Sequence, residues 1–139
     1  MGKPKKSKTK RSDNSSINKT DVSNAPLMFS LKLFDSSDPE MCPPIFRDHY
    51  VQTLMVRLKD LSSWTVGEFL RFNNGLRNHI IKWPDTSRPE GFSGLPDQYD
   101  AYPAYQFALS VNEHGRVHGL LIGNTFHIVW LDHDHNLYS

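Results

Sequence analysis

Hydrophobic and polar positions change period several times along this chain, and each change predicts an element. Leu27 to Phe34 (Leu-Met-Phe-Ser-Leu-Lys-Leu-Phe) alternates imperfectly and runs into Asp35-Ser36-Ser37-Asp38-Pro39, the pattern of a first strand closed by a turn. After Pro43-Pro44 the period becomes helical. Phe46, Tyr50, Leu54, Leu58 and Leu61 recur at helical spacing with Val51 and Met55 alongside, so an amphipathic helix is expected over Ile45 to Leu61, with Pro44 near its first turn. Thr65-Val66-Gly67-Glu68 has the spacing of a capping box, which predicts a second, shorter helix through about Phe72, stopped by Asn73-Asn74-Gly75.

Period two returns in the last third. Arg116 to Ile122 and Thr125 to Leu131 are β-prone runs on either side of Gly123-Asn124, a pair able to supply the positive φ of a two-residue hairpin turn. Tyr105 to Val111 is a third run, joined to them through Asn112-Glu113-His114-Gly115. A turn at Gly123-Asn124 would pair Leu120 with His127, His118 with Val129 and Arg116 with Leu131 on one face. Val117, Gly119, Leu121, Phe126, Ile128 and Trp130 then share the other, an apolar face that should meet the helices. The first face mixes Phe107, Leu109, Leu120, Val129 and Leu131 with Arg116, His118 and His127, so it is either half solvated or lines a site.

Between the helices and the meander lies a short apolar run, His79 to Trp83, readable as a strand or as a loop anchor. Pro84 to Pro103 follows, a turn-rich stretch with room for one helical turn at Pro96. A connection of about twenty irregular residues in a compact domain is either functional or conceals an element. Its aromatics, Trp83, Phe92, Tyr99, Tyr102 and Tyr105, read as a stacking platform for single-stranded nucleic acid or as anchors of a long loop. The fold class is therefore α+β: an N-terminal strand, two helices and a three-stranded antiparallel meander in a single domain over residues 26–139, preceded by a disordered basic tail over residues 1–25.

Charge sharpens that division. Lys3, Lys5, Lys6, Lys8, Lys10, Arg11 and Lys19 face a single acid, Asp13, in the first twenty residues, and the rest of that segment has almost no large apolar group to bury. From Pro26 onward nine Lys and Arg meet thirteen Asp and Glu, a formal charge of −4. A basic arm beside an acidic body can track a phosphate backbone by counterion release or contact an acidic partner, with Lys3, Lys5, Lys6, Lys8, Lys10 and Arg11 as the nucleic-acid-binding candidates. Cys42 stands alone, no apolar run approaches the roughly 18 residues of a membrane span, and no hydrophobic segment follows the basic N-terminus. These features suit a soluble cytoplasmic protein with no membrane partner.

Chemistry concentrates at the end, Asp132-His133-Asp134-His135-Asn136-Leu137-Tyr138-Ser139. His118 and His127 are diagonal neighbours in the expected register and could face one cleft. The order β, α, α and then a meander ending in a polar tail resembles the RelE/ParE superfamily of bacterial ribonuclease and gyrase toxins, the YoeB-like members in particular. The resemblance spans about residues 27 to 139 as topology, with residue-level support at Arg116 and the final seven residues. It implies a metal-independent endoribonuclease acting on messenger RNA in the ribosome, with RNA or the ribosome as partner and an antitoxin as a further one. Arg116 would hold the phosphate, and His135 and Tyr138 would act as general acid or base. With His118 and His127 they make up the catalytic candidates.

Two other readings stay open. His114, His118, His127, His133 and His135 with Asp132 and Asp134 place seven possible ligands in 22 residues, yet without a recognised metal-ligand spacing, so no metal is expected. No phosphate-cradling glycine loop or nucleophile elbow occurs, and no cofactor is expected. Cys42 at a helix start reads as a small buried hydrophobe before it reads as an activated thiol. The alternative to the nuclease is a non-enzymatic protein- or nucleic-acid-interaction module with a basic tail, which accounts for the charge split without asking anything of the histidines.

Overall fold

The computed structural model describes residues 22–71, 76, 78–110 and 115–138. The basic arm with Lys3 to Arg11, the helix stop Asn73-Asn74-Gly75, and residues 111–114 of the meander connection, His114 included, lie outside them. In chain order the elements are β1 (Met28–Ser30), α1 (Tyr50–Leu61), α2 (Val66–Arg71), β2 (His79–Ile80), β3 (Ala104–Ala108), β4 (Arg116–Ile122) and β5 (Thr125–Asp132), with 3-10 turns at Trp83–Asp85 and Asp97–Ala101. The class is α+β. The expected meander β3-β4-β5 is present, but it is the centre of a five-stranded mixed sheet of order β1-β5-β4-β3-β2, in which β1 runs parallel to β5 and the other pairs are antiparallel.

Local chemistry accounts for several boundaries. Gly123 adopts φ 62° while Asn124 stays at negative φ, the pattern of a hairpin turn with glycine at its first central position. At α2 the Thr65 hydroxyl accepts from the Glu68 amide (3.1 Å) and the Glu68 carboxylate accepts from the Thr65 amide (2.9 Å), a closed capping box. α1 begins five residues later than its spacing predicts. His49 sits in the left-handed region (φ 67°), which a continuing helix cannot pass through, so Phe46 packs from the segment before the helix, stacked on Tyr50 at 5.1 Å. Tyr50, Leu54 and Leu61 are buried as the stripe requires, whereas Val51 and Met55 are exposed.

One irregularity reorganises the sheet. Pairing slips between His118 and Gly119: Gly119 faces Ile128, His118 faces Trp130, and Val129 has no residue opposite. A Cβ on Gly119 would collide with the His127 carbonyl and the Phe126 ring, so only glycine allows this approach. The bulge corrects the expected register by one position, giving His118–Trp130 and Arg116–Asp132 in place of His118–Val129 and Arg116–Leu131. It also turns Trp130 away from the helices and packs Leu131 against them. The carbonyl of Val129 is used elsewhere: it accepts from the Asp35 amide (3.0 Å), and the Asp35 carboxylate takes the Trp130 indole N–H (3.4 Å), docking the loop after β1 onto β5.

Both faces of the sheet are consequently covered. On the helix side Phe69, Phe107 and Phe126 meet edge to face with centroids 5.2–6.0 Å apart, among Leu54, Leu61, Val117 and Ile128. The other face, expected to be half solvated or to line a site, is closed by Met41, Ile81, Trp83, Phe92 and Leu137 over Leu120, Val129 and Trp130. The turn-rich stretch thus supplies a third layer with almost no regular structure.

Candidate functional site

Strand alternation puts Arg116, His118 and Asp132 on the irregularly covered face, and all three are buried (4, 0 and 0% exposed). His118 Nε2 lies 3.0 Å from Asp132 Oδ2. The same carboxylate accepts from the backbone amides of Asn136 (2.8 Å) and Leu137 (3.0 Å), so one buried acid holds the turn that follows β5. Burial pushes the His118 imidazole below its ordinary value against the opposing pull of Asp132, which leaves it neutral near pH 7 with Nε2–H as the donor. Burial works to raise the Asp132 carboxyl, but the hydrogen bond from His118 and those from the two amides are among the interactions that outweigh it and hold the group below the usual carboxylate range. Close by, the Tyr50 hydroxyl donates to the Arg116 carbonyl (3.0 Å), and an Arg116 guanidinium nitrogen donates to the Gly115 carbonyl (3.1 Å). Burial, with Asp132 adding to it, raises Tyr50 far above the ordinary tyrosine range, so this phenol remains a donor.

The remaining candidates part company. His135 and Tyr138 lie on the turn held by Asp132; His135 takes a left-handed φ of 58°, and the Tyr138 hydroxyl accepts from the Lys82 amide (2.9 Å) while its ring meets His79 edge-on at 5.4 Å. His127 is half-buried opposite Leu120 and beside Ser30 of β1. Five residues of strand separate it from Asp132, about 16 Å. It shares no cleft with His118, which is enclosed.

The histidine-rich terminus is spent on packing. Residues 133–134 form a turn rather than a strand. His133 Nδ1 accepts from the Arg47 amide (2.9 Å), its Nε2 faces Asp134 (3.2 Å), Arg47 pairs with Asp134, and the ring packs on Phe46 and Tyr50, tying the end of β5 to the start of α1. Among the described residues no group of three or more His, Cys, Asp or Glu gathers as metal ligands. The Cys42 thiol is shifted up by burial and by Asp35, away from reactive thiolate character.

A cleft opens instead in the irregular layer. Trp83, Phe92, Leu95, Tyr99 and Tyr102 surround a volume of about 150 Å³ over Ala104 and Leu120, with Glu90 and Asp100 also lining it. Trp83 and Phe92 meet edge to face at 4.8 Å, Phe92 rests on Trp130 at the same distance, and Tyr99 and Tyr102 lie 6.4 Å apart. Four of the five aromatics singled out in the sequence are therefore gathered here; the fifth, Tyr105, packs on the helix side against Phe69. Gly91 takes φ 78° beside the Trp83 indole, a turn for which glycine is the suited residue.

The cleft is held by the buried acid at one remove. The carbonyls of Leu137 and Asn136, on the turn fixed by Asp132, accept from the Ser87 amide (2.8 Å) and hydroxyl (3.0 Å). Arg88 pairs with Asp38 (2.8 Å) and Glu40 (2.9 Å), fixing the same segment to the loop after β1. Asp38, Ser87, Arg88 and Asp132 matter most for this arrangement; the sequence shows Asp38 only as part of a turn and Asp132 only as one of several possible ligands, and it does not mark Ser87 or Arg88, whose partners lie 48 to 50 residues away. No family model, curated protein or solved structure matches the chain.

Proposed function

We propose that the chain is a non-enzymatic interaction module that presents the aromatic cleft to a partner polypeptide. The carrying observation is the cleft itself: four aromatic side chains converge on a concave volume in a segment anchored by Asp132, Ser87 and Arg88 rather than by regular structure. Partly exposed aromatics on a firm base are the anchors from which binding surfaces draw most of their energy. An RNA-cleaving site of the RelE type would instead ask a cation and a general acid or base to meet a phosphate, and Arg116 and His118 are enclosed, with His118 committed to Asp132.

One comparison separates the two readings. The full chain is induced in a bacterial host, with growth and messenger RNA integrity followed for the wild type, Arg116→Ala and His135→Ala at equal soluble expression. In parallel the purified wild type and Tyr102→Ala are passed over an array of short peptides. Unchanged growth, intact transcripts and peptide capture that Tyr102→Ala removes are the expected results. Growth arrest with transcript cleavage, relieved by both Arg116→Ala and His135→Ala, would overturn the module in favour of the toxin-like endoribonuclease.

A further inference from the structure

Resting on that reading, we infer that the cleft binds the methylated ammonium head of a lysine side chain on the partner polypeptide. Its lining combines the aromatic side chains Trp83, Phe92, Tyr99 and Tyr102 with two acidic residues, Glu90 and Asp100, and contains no Lys or Arg. Neither carboxylate is engaged in an ion pair among the described residues. Of the two cations adjacent in sequence to lining residues, Arg88 is occupied by Asp38 and Glu40, and Lys82, beside Trp83, is not part of the lining.

Charge and size narrow the ligand. Aromatic faces carry negative potential and attract cations, most strongly when the cation is poorly hydrated, and methyl groups both lower hydration and fill the space between rings. The carboxylates add attraction for positive charge and repel phosphate, which argues against a nucleotide or a nucleic-acid strand in this cleft. At about 150 Å³ it is smaller than the roughly 300–1,000 Å³ of sites that enclose a whole small ligand, so it suits one side-chain head presented from outside. A bare ammonium would leave much of the apolar wall untouched. A neutral apolar group would gain nothing from the two carboxylates.

The test uses the full chain and simple probes before peptides. Indole N–H signals are followed by NMR during titration with tetramethylammonium chloride, with tert-butanol as the neutral comparison of similar shape and sodium chloride as the ionic-strength control. The expected result is a saturable shift with tetramethylammonium alone, weakened about tenfold in Glu90→Gln/Asp100→Asn and abolished in Tyr102→Ala. A peptide carrying trimethyllysine should then bind more tightly than the same peptide with lysine, and both more tightly than one with norleucine. Equal response to tert-butanol, or undiminished binding in Glu90→Gln/Asp100→Asn, would overturn the assignment. The two readings fail differently. Array peptides without lysine that are captured in a Tyr102-dependent way would retain the module and remove the methyl-lysine ligand, whereas no capture of any probe would remove both. Glu90 and Asp100 are surface carboxylates, so the double variant keeps the fold while changing the charge.

Discussion

The two faces of the sheet are covered by opposite means. The helix face is closed by side chains whose spacing repeats: Tyr50, Leu54 and Leu61 from α1, Val66 and Phe69 from α2, set against Phe107, Val117 and Phe126. The other face is closed by a segment with two short 3-10 turns, and it is held by a few long-range polar ties to Asp38, Asp132 and the turn after β5. Repetition gives the first cover redundancy, since many contacts of moderate size share the load. The second cover depends on individual links, and so it can fail piecewise. That difference suits a cleft, because a layer free of helical geometry can place four aromatic rings around one volume.

The sharpest way to break the contrast is to remove one aromatic from each side. Phe69→Ala, at the centre of the helix-side cluster and fully buried, should cost about 3–5 kcal/mol in urea denaturation. Trp83→Ala, on a half-buried residue, should cost about 1–2 kcal/mol while removing cleft binding. Equal losses would show that the irregular layer is as integral to global stability as the helices.

Asp132→Asn comes next. It weakens the acceptor for His118 and two amides at once and should cost about 2–4 kcal/mol. Hydrogen exchange should localise the damage: the Ser87 and Leu137 amides lose protection well before those of α1. Uniform loss of protection would mean that the covers are not separable.

Acid should act on the same link. His118 has a folded value below its ordinary 6.5, so between the two values the unfolded chain binds a proton that the native state does not, and stability present above pH 6.5 is lost as pH falls through the folded value. Asp132, held below 3.8 in the fold, contributes stability above 3.8 that disappears as pH falls through its own lower value. Denaturation midpoints should therefore decline in two stages on acidification. His118→Gln should flatten most of the upper one, leaving a smaller share from His127, whose imidazole is also held low by partial burial and Lys32. The smallest effect belongs to the helix side: Thr65→Ala opens the capping box of α2 and should cost about 1 kcal/mol with no change in cleft binding.

The same contrast decides what could be read in advance. The hairpin at Gly123-Asn124, the capping box at Thr65 and the core stripe of α1 are local, each specified by residues within a turn or two of one another; the first two appear in the structure, and the stripe appears through Tyr50, Leu54 and Leu61 but not Val51 or Met55. The β1–β5 pairing is not local, and nothing within Leu27 to Phe34 names a partner or a parallel direction. The bulge escaped because strict alternation from the turn assumes an unbroken ladder; Gly119 in the middle of β4 was the available sign, a glycine where a strand gains nothing from lacking a side chain. For the site, residue type was informative and role was not. The aromatics of the irregular stretch were visible as a group, but the histidines drew attention as chemistry when His118 and His133 serve as ties. The acid that organises them, Asp132, reads in the sequence as one possible metal ligand among seven, whereas in the fold it holds His118 and two backbone amides.

The pairing of β1 with β5 also sets an order of events. The Asn124 side-chain amide donates to the Pro26 carbonyl across 98 positions of chain, and Met28 cannot enter the sheet until Thr125 has been made. During synthesis the apolar stripe of α1 must therefore wait, uncovered, for strands made after it. A chain assembled in this way closes late and nearly all at once, which predicts slow folding relative to its size and a window in which chaperones and proteases meet the helices first.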